Sequence, residues 1–194
     1  SIASANNQDT LTINRAIRVT GTGSFTTSNS TPTQNLDQII INAAGQIKTI
    51  GSGNILLVAN RGGTSNITIN GIASANPFIT TAFYNLETAT TNPGDTNSSG
   101  SINLIAGNSI NIGGDALKSN GGAINLNSAT NLTGATNIFT GINKGDVTFA
   151  STLDGTFDLT VNSTGSLNFQ GNVGATTPLG NITTQSLTGL NVLG

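Results

Sequence analysis

GSINL (100–104), GAINL (122–126), GDVTF (145–149) and GSLNF (165–169) share one grammar: glycine, a small or polar residue, an aliphatic residue, Asn or Thr, then Leu or Phe. Their third positions are Ile102, Ile124, Val147 and Leu167, separated by steps of 22, 23 and 20 in the numbering. A further step of 23 reaches Leu190 in GLNVLG (189–194), where the pattern is slipped by one against its glycine. Working backwards, NITIN (66–70) is expected to place Ile67 and Ile69 in the same pattern, with Ile47 of GQIKTI (45–50) one repeat earlier. The step from Ile67 to Ile102 is longer, at 35, and its excess falls on the turn-rich FYNLETATTNPGDTNSSG (83–100). Residues 83–99 are therefore expected to leave the repeat as an inserted surface loop.

A period of about 20–24 residues built from short alternating strands is the signature of a solenoid. Leucine-rich repeats share the period but need a partly helical, Leu-rich unit, and no stretch here carries a helical apolar stripe. The expected fold is all-β, a right-handed parallel β-helix of roughly 20–24 residues per coil, because parallel crossovers are almost always right-handed. Residues 1–194 are read as one β-solenoid domain or segment. Equivalent strands stack about 4.8 Å apart, so seven or eight coils make a rod on the order of 35–40 Å long. Second strands are expected in SINI after GSINL, TNL after GAINL and FDLTV after GDVTF.

The period of 2 within a strand assigns the faces. Ile102/Leu104, Ile124/Leu126, Val147/Phe149, Leu167/Phe169 and Leu190/Val192 point inward, and Phe149 and Phe169 stack in adjacent coils. Asn103, Asn125, Thr148, Asn168 and Asn191 form an outward polar column in which Asn amides can bond along the axis. Glycine suits the corners, where φ turns positive and another backbone lies close. Each pentapeptide buries two side chains that cannot form a core alone, so stacking itself creates the core.

Composition narrows the chemistry. Charged residues make up 7% of the chain, and the net charge is −2. The six basic residues (Arg15, Arg18, Lys48, Arg61, Lys118, Lys144) are scattered along the chain, which argues against nucleic acid, whose phosphates need clustered Lys and Arg. Hydrophobic residues are 35% of the chain and alternate with Asn and Thr, as a disordered linker would not. No apolar run approaches the roughly 20 residues of a membrane helix. SIASANNQDT (1–10) has neither a basic start nor an apolar core, so the expectation is a mature form or an excised segment.

With no His and no Cys, neither a Ser–His–Asp nor a Cys–His arrangement can be assembled, and zinc lacks its usual ligands. No catalytic residue, metal site or cofactor is expected. Asp146, Asp154 and Asp158 fall in one coil, and a glycosidase needs two carboxyls roughly 5–10 Å apart across a cleft. Asp154 precedes Gly155 in a turn-like stretch and Asp158 alternates outward, so both read as turn or surface acids. GGDAL (113–117) is a single damaged copy of a calcium nonapeptide, leaving a lone ion near Asp95 or Asp115 as the weaker alternative. The mixed Asn, Thr and Ser columns lack the strict Thr-x-Thr repetition of ice-binding solenoids. Triplets of N-x-S/T at Asn29, Asn66, Asn131, Asn162 and Asn181 are expected by chance in so Asn- and Thr-rich a chain.

GSINLIAGNSINI, GGAINLNSATNLTG and GDVTFASTLDGTFDLTVNSTGSLNFQGNVGATTPLGNIT resemble the β-strand repeats of bacterial filamentous-haemagglutinin-like surface proteins, most clearly over 100–194. That resemblance implies a secreted right-handed β-helix used as adhesin, fibre or outer-surface structure. The family's secretion domain carries an NPN-type motif near its N-terminus. This chain lacks one, so the resemblance implies a piece of the shaft.

No Lys, Arg, Asp or Glu follows Asp158, and strand-like DTLTIN (9–14) and AIRVTG (16–21) lie near the start without a cap. Uncapped strand edges without charge invite pairing. The expectation is a non-enzymatic, extracellular or cell-surface shaft or filament subunit. Copies would join head to tail, Leu187, Leu190 and Val192 of one meeting Leu11, Ile13, Ile17 and Val19 of the next. The alternative is an adhesin module that binds glycan or a surface through its polar strand faces or through Phe83 and Tyr84 of the loop. A carbohydrate-active enzyme ranks third.

Overall fold

The computed structural model describes residues 2–4, 10–27, 38–50, 53–59, 64–70, 79–81, 84–85, 90–91, 100–141, 144–185 and 188–193. It is all-β, with no helix among these residues. The strands form an eight-stranded sheet, an eleven-stranded sheet and a small two-stranded one. Every pairing in the two large sheets is parallel, and the arrangement is compatible with a β-solenoid.

The eight-stranded sheet, here the first ladder, runs Ile2–Ser4, Gly23–Thr27, Ile55–Ala59, Ile102–Ala106, Ile124–Leu126, Val147–Phe149, Ser166–Phe169, Gly189–Val192. Its register pairs Ile102 with Ile124, Ile124 with Val147, Val147 with Leu167 and Leu167 with Leu190, the column that the pentapeptides specify. Ile102, Ile124, Val147 and Leu167 are all fully buried, and each one withdraws about 1.5–3 kcal/mol worth of apolar surface from water. The Phe149 and Phe169 rings stack at 5.4 Å between centroids and 19° between planes.

Before Ile102 the register departs from the sequence expectation. Ile102 pairs with Ile55, and Leu104 with Leu57. Ile67 and Ile69 pair instead with Ile110 and Ile112, and Ile47 pairs with Ile17 and Ile79. The spacing between Ile47 and Ile67 coincides with one repeat, yet the two residues lie on different parts of the second sheet.

The eleven-stranded sheet resolves into two ladders joined where long strands bend. The second ladder stacks Thr10–Ile13, Gln38–Ile41, Asn66–Ile69, residues 109–112, residues 129–132 and Leu153–Asp154, ending on a bridge from Leu153 to Val173. The third stacks Ala16–Thr20, Gln46–Ile50, Ile79–Thr80, residues 114–118, residues 136–141, Leu159–Ser163 and Ile182–Gln185. FDLTV therefore supplies the third ladder, not the second, which takes Leu153 and Asp154. The bend in Ser109–Lys118 falls at Gly113–Gly114, where the register shifts and Gly114 has φ 80°, a conformation that residues with a Cβ rarely adopt.

The glycines that open the pentapeptides have a different reason. None of Gly53, Gly100, Gly122, Gly145 and Gly165 has positive φ, contrary to the expectation from turn chemistry. A Cβ on Gly145 would stand 2.7 Å from the carbonyl oxygen of Gly122, and one on Gly165 would stand 2.5 Å from that of Gly145. Gly100 would collide in the same way with Gly53, and Gly53 with Gly21. Only hydrogen fits between successive backbones at this corner.

The connection from Ile79 to Ile102 is more than three times as long as the equivalent one from Leu117 to Ile124. Within it Tyr84–Asn85 pairs antiparallel with Thr90–Thr91, apart from the two large sheets.

Candidate functional site

The C-terminal end of the stack is an open core. Gly189–Val192 is the outermost strand of the first ladder and Ile182–Gln185 that of the third. With nothing above them, Leu190 and Val192 are 56% and 59% exposed, Ile182 is 42% and Leu193 75%. Leu167, in the same column as Leu190, is fully buried. Phe169, Val173, Ile182, Thr184, Leu190 and Val192 line a concavity of about 300 Å³, so all three ladders contribute to its wall. Leu187 lies outside the described residues.

At the other end, Ile2–Ser4, Thr10–Ile13 and Ala16–Thr20 are the outermost strands. Ile13 belongs to the buried core, while Leu11, Ile17 and Val19 are half-buried against it. The register carries Leu11 down a column that ends on Val173, and Ile17 down one that ends on Thr184. Apolar N-terminal residues and the open C-terminal cup thus occupy the same columns.

The carboxylates are turned along the stack. Asp146 Oδ1 accepts the Ser166 N–H at 2.7 Å, and Asp158 Oδ1 accepts the Asn181 N–H at 2.7 Å. Asp154 Oδ1 accepts two, from Thr176 at 2.8 Å and Thr177 at 3.0 Å. Asn54 does the same for Ser101 N–H at 2.7 Å, from the equivalent corner of an earlier level. These acids clasp the following strand's backbone. Asp115 Oδ1 accepts from Asn137 Nδ2, and no group of three potential metal ligands is found among the described residues. Asp95 lies outside them.

Beside the glycine corner runs a column of buried hydroxyls that sequence reasoning missed. Thr49 Oγ1 donates to the Gly53 carbonyl at 3.0 Å, Thr81 Oγ1 to Gly100 at 2.6 Å and Ser119 Oγ to Gly122 at 2.6 Å. Ser163 Oγ reaches back to the Gly145 carbonyl at 2.6 Å, and the Thr140 hydroxyl is left without a hydrogen-bond partner. Carbonyls at a corner cannot join a ladder, and a short hydroxyl satisfies them where water does not enter.

Outside, Asn125 Nδ2 donates to Asn103 Oδ1 at 2.9 Å and Asn191 Nδ2 to Asn168 Oδ1 at 2.7 Å, with Thr148 interrupting the ladder between them. A second ladder, not expected, links Asn70 to Asn42 and Asn42 to Asn14. The cations are less scattered than the sequence suggests. Arg18, Lys48, Thr80, Lys118 and Phe139 form one column of the third ladder. The Lys118 ammonium sits 5.1 Å from the Phe139 ring centroid. Burial pushes its pKa below the ordinary 10.5, and the negative charge of Asp115 pulls it part of the way back. Lys48 is only 4% exposed. Of the two aromatic residues expected to face a ligand, Phe83 lies outside the described residues and Tyr84 is placed only by its pairing with Thr91.

No helix among the described residues is long and apolar enough to cross a membrane. No protein-family model matches the chain, and no curated protein or solved structure matches it.

Proposed function

We propose that the chain is a right-handed parallel β-helix, with roughly 20–24 residues per coil, that serves as a non-enzymatic structural shaft or filament subunit, its copies joined head to tail. The proposal extends to an extracellular, bacterial surface setting, supported by the resemblance of residues 100–194 to filamentous-haemagglutinin-like repeats. The observation that carries the structural reading is the open C-terminal cup, whose columns are those that Leu11 and Ile17 begin at the other end.

Magnitudes say how such a joint would hold. Ile182, Leu190, Val192 and Leu193 are each about half exposed, so covering them returns on the order of 1 kcal/mol apiece. Roughly 4–5 kcal/mol in all only reaches the low end of the cost of association, about 4–15 kcal/mol. Apolar contact alone therefore does not make a filament. The remainder comes from strand pairing, since a second copy would add hydrogen bonds along the edges of the ladders at once. No charge after Asp158 obstructs that approach.

Leu190→Lys with Val192→Lys tests the proposal, because it forces two ammonium groups to lose water in the joint. The double variant should give short particles by electron microscopy where the parent gives filaments. Filaments of parental length would refute end-to-end joining.

A further inference from the structure

We infer that head-to-tail joining is a strand exchange, in which Gly189–Val192 of one copy displaces Ile2–Ser4 of the next from the edge of Gly23–Thr27. The inference rests on the head-to-tail proposal and specifies its joint.

Its basis is a mismatch in levels. Among the described residues the first ladder has eight strands, whereas the second and third have seven levels each. The surplus belongs to the first ladder at both ends: Ile2–Ser4 precedes the first strand of the second ladder, and Gly189–Val192 follows the last strand of the third. If a second copy were set down whole, Ile2–Ser4 would lie on Gly189–Val192. The first ladder would then rise two levels across the joint while the others rose one. The Leu11 and Ile17 columns would stand one level, about 4.8 Å, too far from Val173 and Thr184, and the cup would remain open. With one of the two surplus strands removed, all three ladders continue without a gap.

Register shows which strand yields. Ile2, Ala3 and Ser4 pair with Phe25, Thr26 and Thr27, leaving Gly23 and Ser24 without a neighbour on that side. The strand Gly189–Val192 is held by four pairings to Ser166–Phe169, and the Leu193 N–H adds a bond to the Phe169 carbonyl at 2.9 Å. Following the columns through Ile55, Ile102, Ile124, Val147 and Leu167 sets Leu190 opposite Gly23, Asn191 opposite Ser24 and Val192 opposite Phe25. The incoming strand thus covers the two positions that Ile2–Ser4 leaves open and takes over the place of Ile2. It brings Leu190 and Val192, the exposed apolar residues of the cup, into columns that are buried from Ile55 and Leu57 through Leu167 and Phe169. Ile2–Ser4 acts as a placeholder that shields the Gly23–Thr27 edge in the free subunit.

The chain has no cysteine, so engineered pairs report without background. Ala3→Cys with Thr26→Cys ties the placeholder to its own neighbour, since direct partners of a parallel pair lie within disulfide reach. Ser24→Cys with Asn191→Cys forms a bond between copies only after exchange; without it the two positions are two levels apart, about 9.6 Å, beyond that reach. Under oxidising conditions the first variant should lose at least ten-fold in filament mass, and dithiothreitol should restore it, which also shows that the variant folds. The second should give a ladder of covalent multimers on a non-reducing gel. Filaments that form undiminished in the locked variant and carry no bond between 24 and 191 would overturn the exchange while leaving head-to-tail joining intact. Absence of filaments from the parent chain and from both reduced variants would overturn the joining itself.

Discussion

Two glycines that a sequence cannot tell apart should respond to alanine with opposite sign. Gly145 and Gly134 both have negative or extended φ, so alanine is permitted at each by the backbone. At Gly145 the added Cβ would stand 2.7 Å from the Gly122 carbonyl oxygen, 3.0 Å from the Gly121 carbonyl carbon and 3.0 Å from Thr140 Cβ. Two of these are backbone atoms of the preceding level, which no rotamer change can move. At Gly134 the nearest atom is Gly113 Cα at 3.7 Å, an ordinary contact. Replacing glycine gains about 0.4–1 kcal/mol at both sites by narrowing the unfolded ensemble. Overpacking costs about 1–3 kcal/mol and should reach its upper end at Gly145, for a net loss of about 2 kcal/mol. With a urea slope of about 2 kcal/mol per molar, the midpoint should fall by about 1 M for Gly145→Ala and rise by about 0.25 M for Gly134→Ala. Equal shifts in the two variants, or a Gly145→Ala midpoint indistinguishable from the parent, would refute the steric account of the glycine column.

Three further outcomes are expected in the same denaturation assay. Thr140→Val, which removes a buried hydroxyl that has no partner, should be neutral or stabilise by up to about 1 kcal/mol, whereas Ser163→Ala orphans the Gly145 carbonyl and should cost about 1–3 kcal/mol. Asp154→Ala, which strips the acceptor from two N–H groups, should cost about 1–2 kcal/mol, and Asp154→Asn, which keeps an oxygen there, less than half of that. One glycine inserted between Asn120 and Gly121 should cost less than about 1 kcal/mol as a lengthened corner, while the same residue between Asn125 and Leu126 should cost several times more, because a slip of one within a strand turns its buried set outward.

The first ladder was legible because each of its later strands repeats one local sentence, with a glycine as punctuation and two apolar residues at a period of 2. The second and third ladders were not separated, since Ser109–Lys118 and Ala129–Gly141 run through both and only Gly113–Gly114 and Gly134 mark the bends. At the ends, Leu190 and Val192 were legible as members of buried columns. What the sequence hid was the mismatch in levels, a property of how many strands each ladder holds. The hydroxyl column left a local trace in TIGSG (49–53), SNGG (119–122) and STG (163–165), where Ser or Thr shortly precedes the corner glycine. It left none at Thr81, whose partner Gly100 lies beyond the long connection. The alignment of Arg18, Lys48 and Lys118 had no local signal at all, being set by pairings between strands far apart in the chain.

Repeat length turns out to be the wrong invariant for this chain, and its drift has a physical cause. From the first ladder to the second the step is the same in three successive levels, Leu126 to Thr130, Phe149 to Leu153 and Phe169 to Val173. From the second to the third it varies, from Thr130 to Ile138, Leu153 to Val161 and Val173 to Thr184, the last being the longest. Back to the first it varies again, and Ile138 to Val147 is longer than Val161 to Leu167. The strands hold their columns, and the corners absorb all the variation. Moving a strand by one residue would exchange buried for exposed side chains along its length, whereas lengthening a corner costs only the slowly growing entropy of a loop. The same asymmetry explains why the period blurs between Ile79 and Ile102. That corner includes the hairpin Tyr84–Asn85 with Thr90–Thr91, and yet Ile55 and Ile102 on either side of it remain direct partners and fully buried. A shaft built this way can carry a projection at a corner without disturbing the core, because the core is specified by pairing between levels and not by the distance along the chain.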